Sequence, residues 1–184
     1  MGRTLAAAIA VMLAHGIAAA QHAQPYAGLQ ERPIKALSAE QIADLEAGRG
    51  MGLALAAELN GYPGPVHVIE LAEPLHLTGE QRTRMESLLA SMKAETIPLG
   101  ERLIEQEAEL DKQFAERRIS EASLVTATQA IGLTQAALRA AHLKYHLRTI
   151  EVLTPEQVQG YRGLRGYAEQ GPAGRQHGGH NSPN

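Results

Sequence analysis

The feature that most constrains this chain is a pentapeptide that occurs three times in closely similar form. It reads LSAEQ at 37–41, LTGEQ at 77–81 and LTPEQ at 153–157. In each copy a Ser or Thr is followed three residues later by Gln, the pattern of a capping box at the start of an α-helix. The hydroxyl accepts a hydrogen bond from an N–H of the first turn, and the Gln oxygen accepts one from the N–H of the capping residue. The pattern therefore predicts three helix starts.

The intervals between the three copies are unequal, which argues against a solenoid of fixed period. The two copies with Thr form the paired helix-capping motif. Its residues are Leu77, Thr78, Gln81, Leu153, Thr154 and Gln157.

Apolar periodicity and turn residues extend these starts into an all-α organisation with no segment typical of a β-strand. Helices are predicted over 38–59, 65–75, 78–118, 120–151 and 154–167. The two long helices, separated by a short break, are expected to form a long antiparallel hairpin with the shorter helices flanking it. One helical domain over 37–169 contains all of them.

Both ends of the chain have a different character. Residues 1–20 combine Arg3, an apolar run and a closing Ala-Ala-Ala, which together predict a cleavable signal peptide and therefore a periplasmic location. Residues 21–36 are polar and contain two prolines, so a flexible lead is expected there. Residues 170–184 form a His- and Gly-containing tail that is expected to be disordered.

Composition narrows the functional classes. The formal net charge is −3 and no basic block occurs, so nucleic acid is not an expected partner. The chain has no cysteine, which excludes thiol catalysis and thiolate metal sites. Neither a zinc-protease HExxH motif nor a nucleophile elbow is present, so no enzymatic activity and no organic cofactor are expected. With a single Phe and no Trp, the helices bury little surface alone, and a homodimer is predicted.

The predicted helix over 120–151 contains the clearest candidate site. His142 and His146 lie four residues apart, so both imidazoles project from one face of a helix and can ligate one metal ion. Further candidate ligands are His67 with Glu70, and Glu95. Imidazoles completed by a carboxylate favour divalent Zn, Ni, Co or Cu over Mg or Ca. The alternative is that His142 is a hydrogen-bonded core histidine and His146 is solvated.

The paired LTGEQ and LTPEQ motifs, on a small cysteine-free chain with an export signal, resemble the LTxxQ-motif family of bacterial periplasmic proteins. That family contains the Spy/CpxP-like envelope-stress chaperones and a periplasmic heavy-metal sensor and zinc-resistance branch. The resemblance covers about residues 62–167 and implies a hooked four-helix hairpin that dimerises in antiparallel fashion around a concave face.

In the metal branch, a His and a Met or His four residues later on the third helix bind the metal. His142 and His146 match that arrangement. The branch also places a His-x-x-x-His pair on its first helix, where this chain has His67 alone.

Three functions follow as expectations. The first is a periplasmic, non-enzymatic envelope-stress or heavy-metal-response protein that binds a divalent metal and senses or buffers it. The second is an ATP-independent chaperone that holds unfolded client proteins, with Met85, Met92 and Leu99 as an adaptable surface if they are not plain core. The third is a regulatory partner of a membrane-bound sensor kinase or anti-sigma factor.

Overall fold

The computed structural model of the protein describes residues 25–167, and this part of the chain is all-helical, without a β-strand. After a single 3₁₀ turn at Leu29–Glu31, it contains six α-helices. They are α1 (Ala39–Glu46), α2 (Leu55–Glu58), α3 (Pro65–Glu70), α4 (Gly79–Ala115), α5 (Glu121–Ile150) and α6 (Pro155–Leu164). Among residues 25–167, no helix combines the length and the apolar composition that crossing a membrane requires.

All three predicted capping boxes form, and they open α1, α4 and α6. The reciprocal pairs are Ser38 with Gln41, Thr78 with Gln81, and Thr154 with Gln157. In α4, the N–H of Gln81 donates to the Thr78 hydroxyl at 3.1 Å, and the N–H of Thr78 donates to the Gln81 amide oxygen at 3.1 Å. A fourth box, built by Ser120 and Ser123, opens α5. The starts of α1, α4, α5 and α6 are therefore determined by local hydrogen bonding, whereas α2 and α3 begin without a side-chain cap.

The glutamines of the two LTxxQ motifs also bond to each other. Gln81 Nε2 donates to Gln157 Oε1 at 2.8 Å, and Gln157 Nε2 donates to Gln81 Oε1 at 3.0 Å. Each side-chain amide also donates to a backbone carbonyl: Gln81 Nε2 to the Val152 oxygen at 2.9 Å, and Gln157 Nε2 to the Leu75 oxygen at 3.3 Å. Each amide thus donates twice and accepts twice, counting its own cap, which is the full capacity of a primary amide. We call this arrangement the glutamine clasp.

Two hydrophobic clusters hold the helices together around the α4–α5 pair, whose members pack along each other. The α1 cluster consists of Ile34, Leu37, Leu45, Leu103, Ile131 and Leu138. The α6 cluster consists of Val68, Leu75, Met85, Leu153 and Tyr161. The short helices therefore cover the long pair at two separate places.

The helix predicted over 38–59 is interrupted between α1 and α2, so that prediction was wrong for residues 47–54. Gly48, Met51 and Gly52 have φ angles of 64°, 43° and 79°, in the left-handed region that an α-helix cannot contain. At Gly48 the chain also approaches α4 closely, because a Cβ there would lie 2.7 Å from the Thr96 hydroxyl oxygen. The glycines therefore end the helix and shape a loop, which we call the 47–54 loop.

Part of the predicted flexible lead is packed on the helices. Ile34 belongs to the α1 cluster, and Lys35 Nζ lies 3.3 Å from a carboxylate oxygen of Asp111 on α4. The packed unit therefore begins before residue 37, because an apolar side chain in the lead reaches the core. The predicted signal peptide (1–20) and the His- and Gly-containing tail (170–184) lie outside the described residues.

Candidate functional site

A cavity of about 190 Å³ lies where α2, α3 and the 47–54 loop meet the long helices. Its wall contains most of the predicted metal ligands, together with residues that the sequence had not indicated. The lining side chains that carry nitrogen, oxygen or sulfur are Met51, Glu58, His67, Met92, His142 and His146. Five parts of the chain, namely the 47–54 loop, α2, α3, α4 and α5, therefore contribute potential ligand atoms to one cavity.

His142, on α5, is buried in the cavity wall with only 2% of its surface exposed. Its Nε2 atom has no hydrogen-bond partner. A buried polar atom without a partner costs about 1–3 kcal/mol, so its retention calls for an explanation. Burial, and secondarily the neighbouring His146, lower the pKa of His142 below its usual value. The ring is therefore neutral at neutral pH, and one of its nitrogens carries a free lone pair.

His146 lies one turn further along α5 and is 8% exposed. Its Nδ1 is 2.6 Å from the backbone oxygen of Tyr62. Because a carbonyl can only accept, Nδ1 must carry the hydrogen, and in the neutral ring Nε2 is then the unprotonated nitrogen. Metal-ligating histidines are commonly oriented in this way by a second bond to a carbonyl or carboxylate. The backbone of the turn before α3 thus fixes both the tautomer and the orientation of this ring.

Glu58, at the end of α2, is a buried carboxylate that also lines the cavity. It accepts hydrogen bonds from the Tyr161 hydroxyl and, at 3.3 Å, from the N–H of Gly64. Its Oε2 lies 3.8 Å from His146 Nδ1, and its Oε1 lies 3.7 Å from Arg165 Nε. Burial and the bond to Glu58 raise the pKa of Tyr161, so the phenol stays protonated and keeps donating. Glu58 therefore connects α2 to Tyr161 of α6 and to the turn before α3, and Arg165 is its nearby positive partner.

His67, on α3, also lines the cavity, so the structure brings three of the predicted ligands to one place. Its Nδ1 is 2.9 Å from a carboxylate oxygen of Glu70, and both side chains are partly exposed. Glu70 is therefore placed to orient the ring of His67 and does not itself line the cavity.

Glu95 lies elsewhere on α4. Both of its carboxylate oxygens accept hydrogen bonds from Lys144 at 2.6 Å, and Oε2 accepts a third from Tyr145 at 3.2 Å. The bond to Lys144 is the main reason that the pKa of Glu95 is lowered. The structure therefore does not bring this predicted ligand to the cavity; it uses the carboxylate to connect α4 and α5.

The residues suggested as an adaptable client-binding surface are largely buried. Met85 belongs to the α6 cluster, Leu99 packs against the α1 cluster, and Met92 is 5% exposed at the cavity. They do not form an open surface in this chain, because the flanking helices and the 47–54 loop cover them. The alternative of plain core, which the sequence left open, is correct for Met85.

The histidines alone do not complete a metal site. Within residues 25–167, no three His, Asp or Glu side chains are grouped closely enough to hold an ion by themselves. No family model matches the chain, and comparisons with curated proteins and with solved structures found no significant match. The assignment of a function therefore depends on the chemistry of the cavity.

Proposed function

We propose that this protein binds a transition-metal ion in the cavity, with His142 and His146 as its principal ligands. The proposal is carried by the buried His142, whose Nε2 has no partner although the ring lines a cavity shared with two other histidines. A core histidine retained for packing would be expected to satisfy its buried nitrogens. A metal ion supplies the missing partner.

Two further observations support the same chemistry. Metals bind the unprotonated nitrogen of imidazole, and the lowered pKa of His142 keeps that form populated at neutral pH. His146 is held by the Tyr62 carbonyl in the tautomer that leaves Nε2 unprotonated. His142 and His146 can supply two nitrogen ligands for Zn, Ni, Co or Cu, and water or another side chain of the cavity would complete the coordination.

The biological role that fits such a site is that of a periplasmic, non-enzymatic protein of the heavy-metal or envelope-stress response. Occupation of the cavity would connect α5 to α3 and the 47–54 loop, and would favour conformations in which these segments are closed. Metal concentration would thereby bias the surface that the protein presents to partners, including a membrane-bound signalling protein.

Calorimetric titration with Zn and with Ni tests the proposal. The wild type should bind at least one ion more tightly than about 100 μM, and His142→Ala should remove most of that affinity. A variant with Ala at His177 and His180 is the control for metal collected by the His- and Gly-containing tail. The proposal fails if the wild type binds neither ion, or if His142→Ala lowers thermal stability while metal adds none to the wild type.

We also propose the finer architecture, a hooked hairpin that forms an antiparallel homodimer. Val125, Leu133 and Leu147 are exposed on α5, with Leu133 at 74%, and they lie within about 80° of one another around the helix. An exposed apolar stripe of this kind is typical of an interaction surface. Size exclusion with light scattering should show a dimer; a monomer at tens of micromolar would contradict it.

The same α5 stripe gives a specific basis for the second candidate function, ATP-independent binding of unfolded clients. Apolar side chains at Val125, Leu133 and Leu147 can hold extended segments weakly if they are not occupied by a second copy. The protein should then slow light scattering by a thermally aggregating client without ATP. Absence of suppression at severalfold molar excess would refute this function.

A further inference from the structure

Met92 on α4 is an unusual buried methionine. It is 5% exposed, yet it belongs to neither the α1 cluster nor the α6 cluster, and it lines the cavity beside His142 and His146. Met85, two turns earlier on the same helix, is packed inside the α6 cluster. The two residues therefore have the same side chain in contrasting surroundings, one apolar and one lined by imidazoles.

Met51 brings a second thioether to the same cavity from the 47–54 loop. Its φ angle of 43° places it in the left-handed region, which few residues other than glycine adopt. Glycine would adopt this conformation without strain, and it occupies both adjacent positions, Gly50 and Gly52. A strained backbone at a side chain that lines a cavity is a reason to look for a functional role for that side chain. The side chain is 39% exposed, at the accessible side of the cavity.

The ligand set has a chemical consequence. The nitrogen and oxygen ligands of the cavity do not complete a metal site, since within the described residues no three His, Asp or Glu side chains can hold an ion alone. Adding the two thioethers gives a mixed nitrogen and sulfur set without cysteine. Thioether sulfur is a soft ligand that selects Cu(I) among the biological metals, whereas it contributes little to binding of harder divalent ions.

We propose that the cavity is a site for a soft monovalent cation, Cu(I) or the chemically similar Ag(I), held by His142, His146 and the Met92 thioether, with Met51 closing the site. This inference rests on the proposed function, since it uses the same cavity, and it specifies the class of ion. The histidines supply imidazole nitrogens, and Met92 supplies the sulfur that distinguishes a soft ion from zinc. No change of oxidation state is involved, because the ion binds and leaves as a monovalent cation.

The alternative is that Met92 only fills space, as flexible methionines often do. Met92→Leu separates the two, because Met and Leu have similar volumes and the exchange removes only the sulfur. Met85→Leu is the matched control on the same helix, buried but away from the cavity. Met51→Leu is a second test at a partly exposed position, where misfolding is not expected.

The experiment measures Cu(I) affinity under anaerobic conditions by competition with a chromophoric Cu(I) chelator, Ag(I) affinity by calorimetry with silver nitrate, and Zn affinity in parallel. All proteins carry Ala at His177 and His180, so that the tail does not contribute. Met92→Leu should weaken Cu(I) and Ag(I) binding by about tenfold or more and leave Zn binding unchanged within about threefold. Met51→Leu should weaken the same two ions by a smaller factor, and Met85→Leu should change none.

X-ray absorption at the copper edge adds a readout that a merely structural role would not move. The wild type should show a sulfur neighbour of copper that weakens in Met92→Leu and persists in Met85→Leu. The inference is overturned if copper has no sulfur neighbour, or if Met92→Leu weakens Zn as much as Cu(I). Zinc binding that depends on His142, without any dependence of Cu(I) on Met92, would overturn this inference and leave the proposed function standing. Loss of neither metal in His142→Ala would overturn both.

Discussion

Replacement of Gly64 by Ala tests whether His146 is a ligand without removing the histidine. A Cβ at this position would lie 2.9 Å from His146 Cε1 and 3.1 Å from Nε2. Nonbonded carbon atoms prefer about 3.5–4.0 Å, so the ring must move by roughly 0.5–1 Å. The backbone itself tolerates alanine, because Gly64 has φ −88° and ψ 149°.

This movement of the His146 ring is large compared with the tolerance of metal–ligand distances. Ligand distances in metal sites are held to within about 0.2 Å, and the bond from His146 Nδ1 to the Tyr62 oxygen limits how the ring can turn away. We therefore expect Gly64→Ala to weaken zinc binding by about tenfold or more, which corresponds to about 1.4 kcal/mol. Crowding should also lower the free energy of unfolding of the metal-free protein by about 1–3 kcal/mol.

Gly50→Ala is the matched control in the same cavity. A Cβ there would lie 3.7 Å from His142 Nδ1, an ordinary contact, so zinc affinity should stay within about threefold of wild type. Competition with a chromophoric zinc chelator measures affinity, and urea unfolding in the presence of a chelator measures stability separately. Wild-type zinc binding in Gly64→Ala would show that His146 is not a ligand. An equal loss in both variants would refute the argument from ring displacement.

Three further predictions concern stability. Gly100→Ala should destabilise the protein by about 1–3 kcal/mol in urea unfolding, because its Cβ would lie 2.5 Å from a backbone oxygen of α1. Gly132→Ala has nothing within 4 Å of its Cβ and should stabilise the protein by about 0.5–1 kcal/mol. Similar values for the two variants would contradict this packing. Gln81→Ala should lower the free energy of unfolding by about 2–4 kcal/mol. A double-mutant cycle with Gln157→Ala should give a coupling energy of about 1 kcal/mol or more. Strictly additive effects of the two substitutions would contradict the glutamine clasp. The lowered pKa of His142 means that the unfolded chain binds a proton more readily, so stability should fall as pH drops below about 6.5 in metal-free protein. This slope should be smaller in His142→Gln, and an unchanged slope would count against the assignment.

Sequence reasoning succeeded where a structure is determined by neighbouring residues. The capping boxes at Ser38, Thr78 and Thr154 depend on side chains three residues away, and all three form as predicted. The shared face of His142 and His146 likewise follows from helical spacing, and both rings line one cavity. Local rules were sufficient for these features because the interacting atoms belong to one turn of the chain.

Features that depend on distant segments were not predictable in the same way. The glycines of the 47–54 loop weakened the predicted helix, but its end depends on the close approach of Gly48 to α4. Glu95 has a carboxylate that could bind a metal, yet this carboxylate accepts hydrogen bonds from Lys144, 49 residues away on α5. Glu58 and Met92 joined the cavity only through packing, and no local pattern distinguished Met92 from Met85.

The glutamine clasp has a consequence for the evolution of chains of this type. Since Gln81 and Gln157 each donate to and accept from the other, replacing one amide by a carboxylate would remove two donors and place two acceptor oxygens against each other. Substitution at either position is therefore tolerated best when the other changes as well. Such chains should show the two glutamines kept together or lost together, so that a single copy of the motif marks a helix start and only a matched pair marks this architecture.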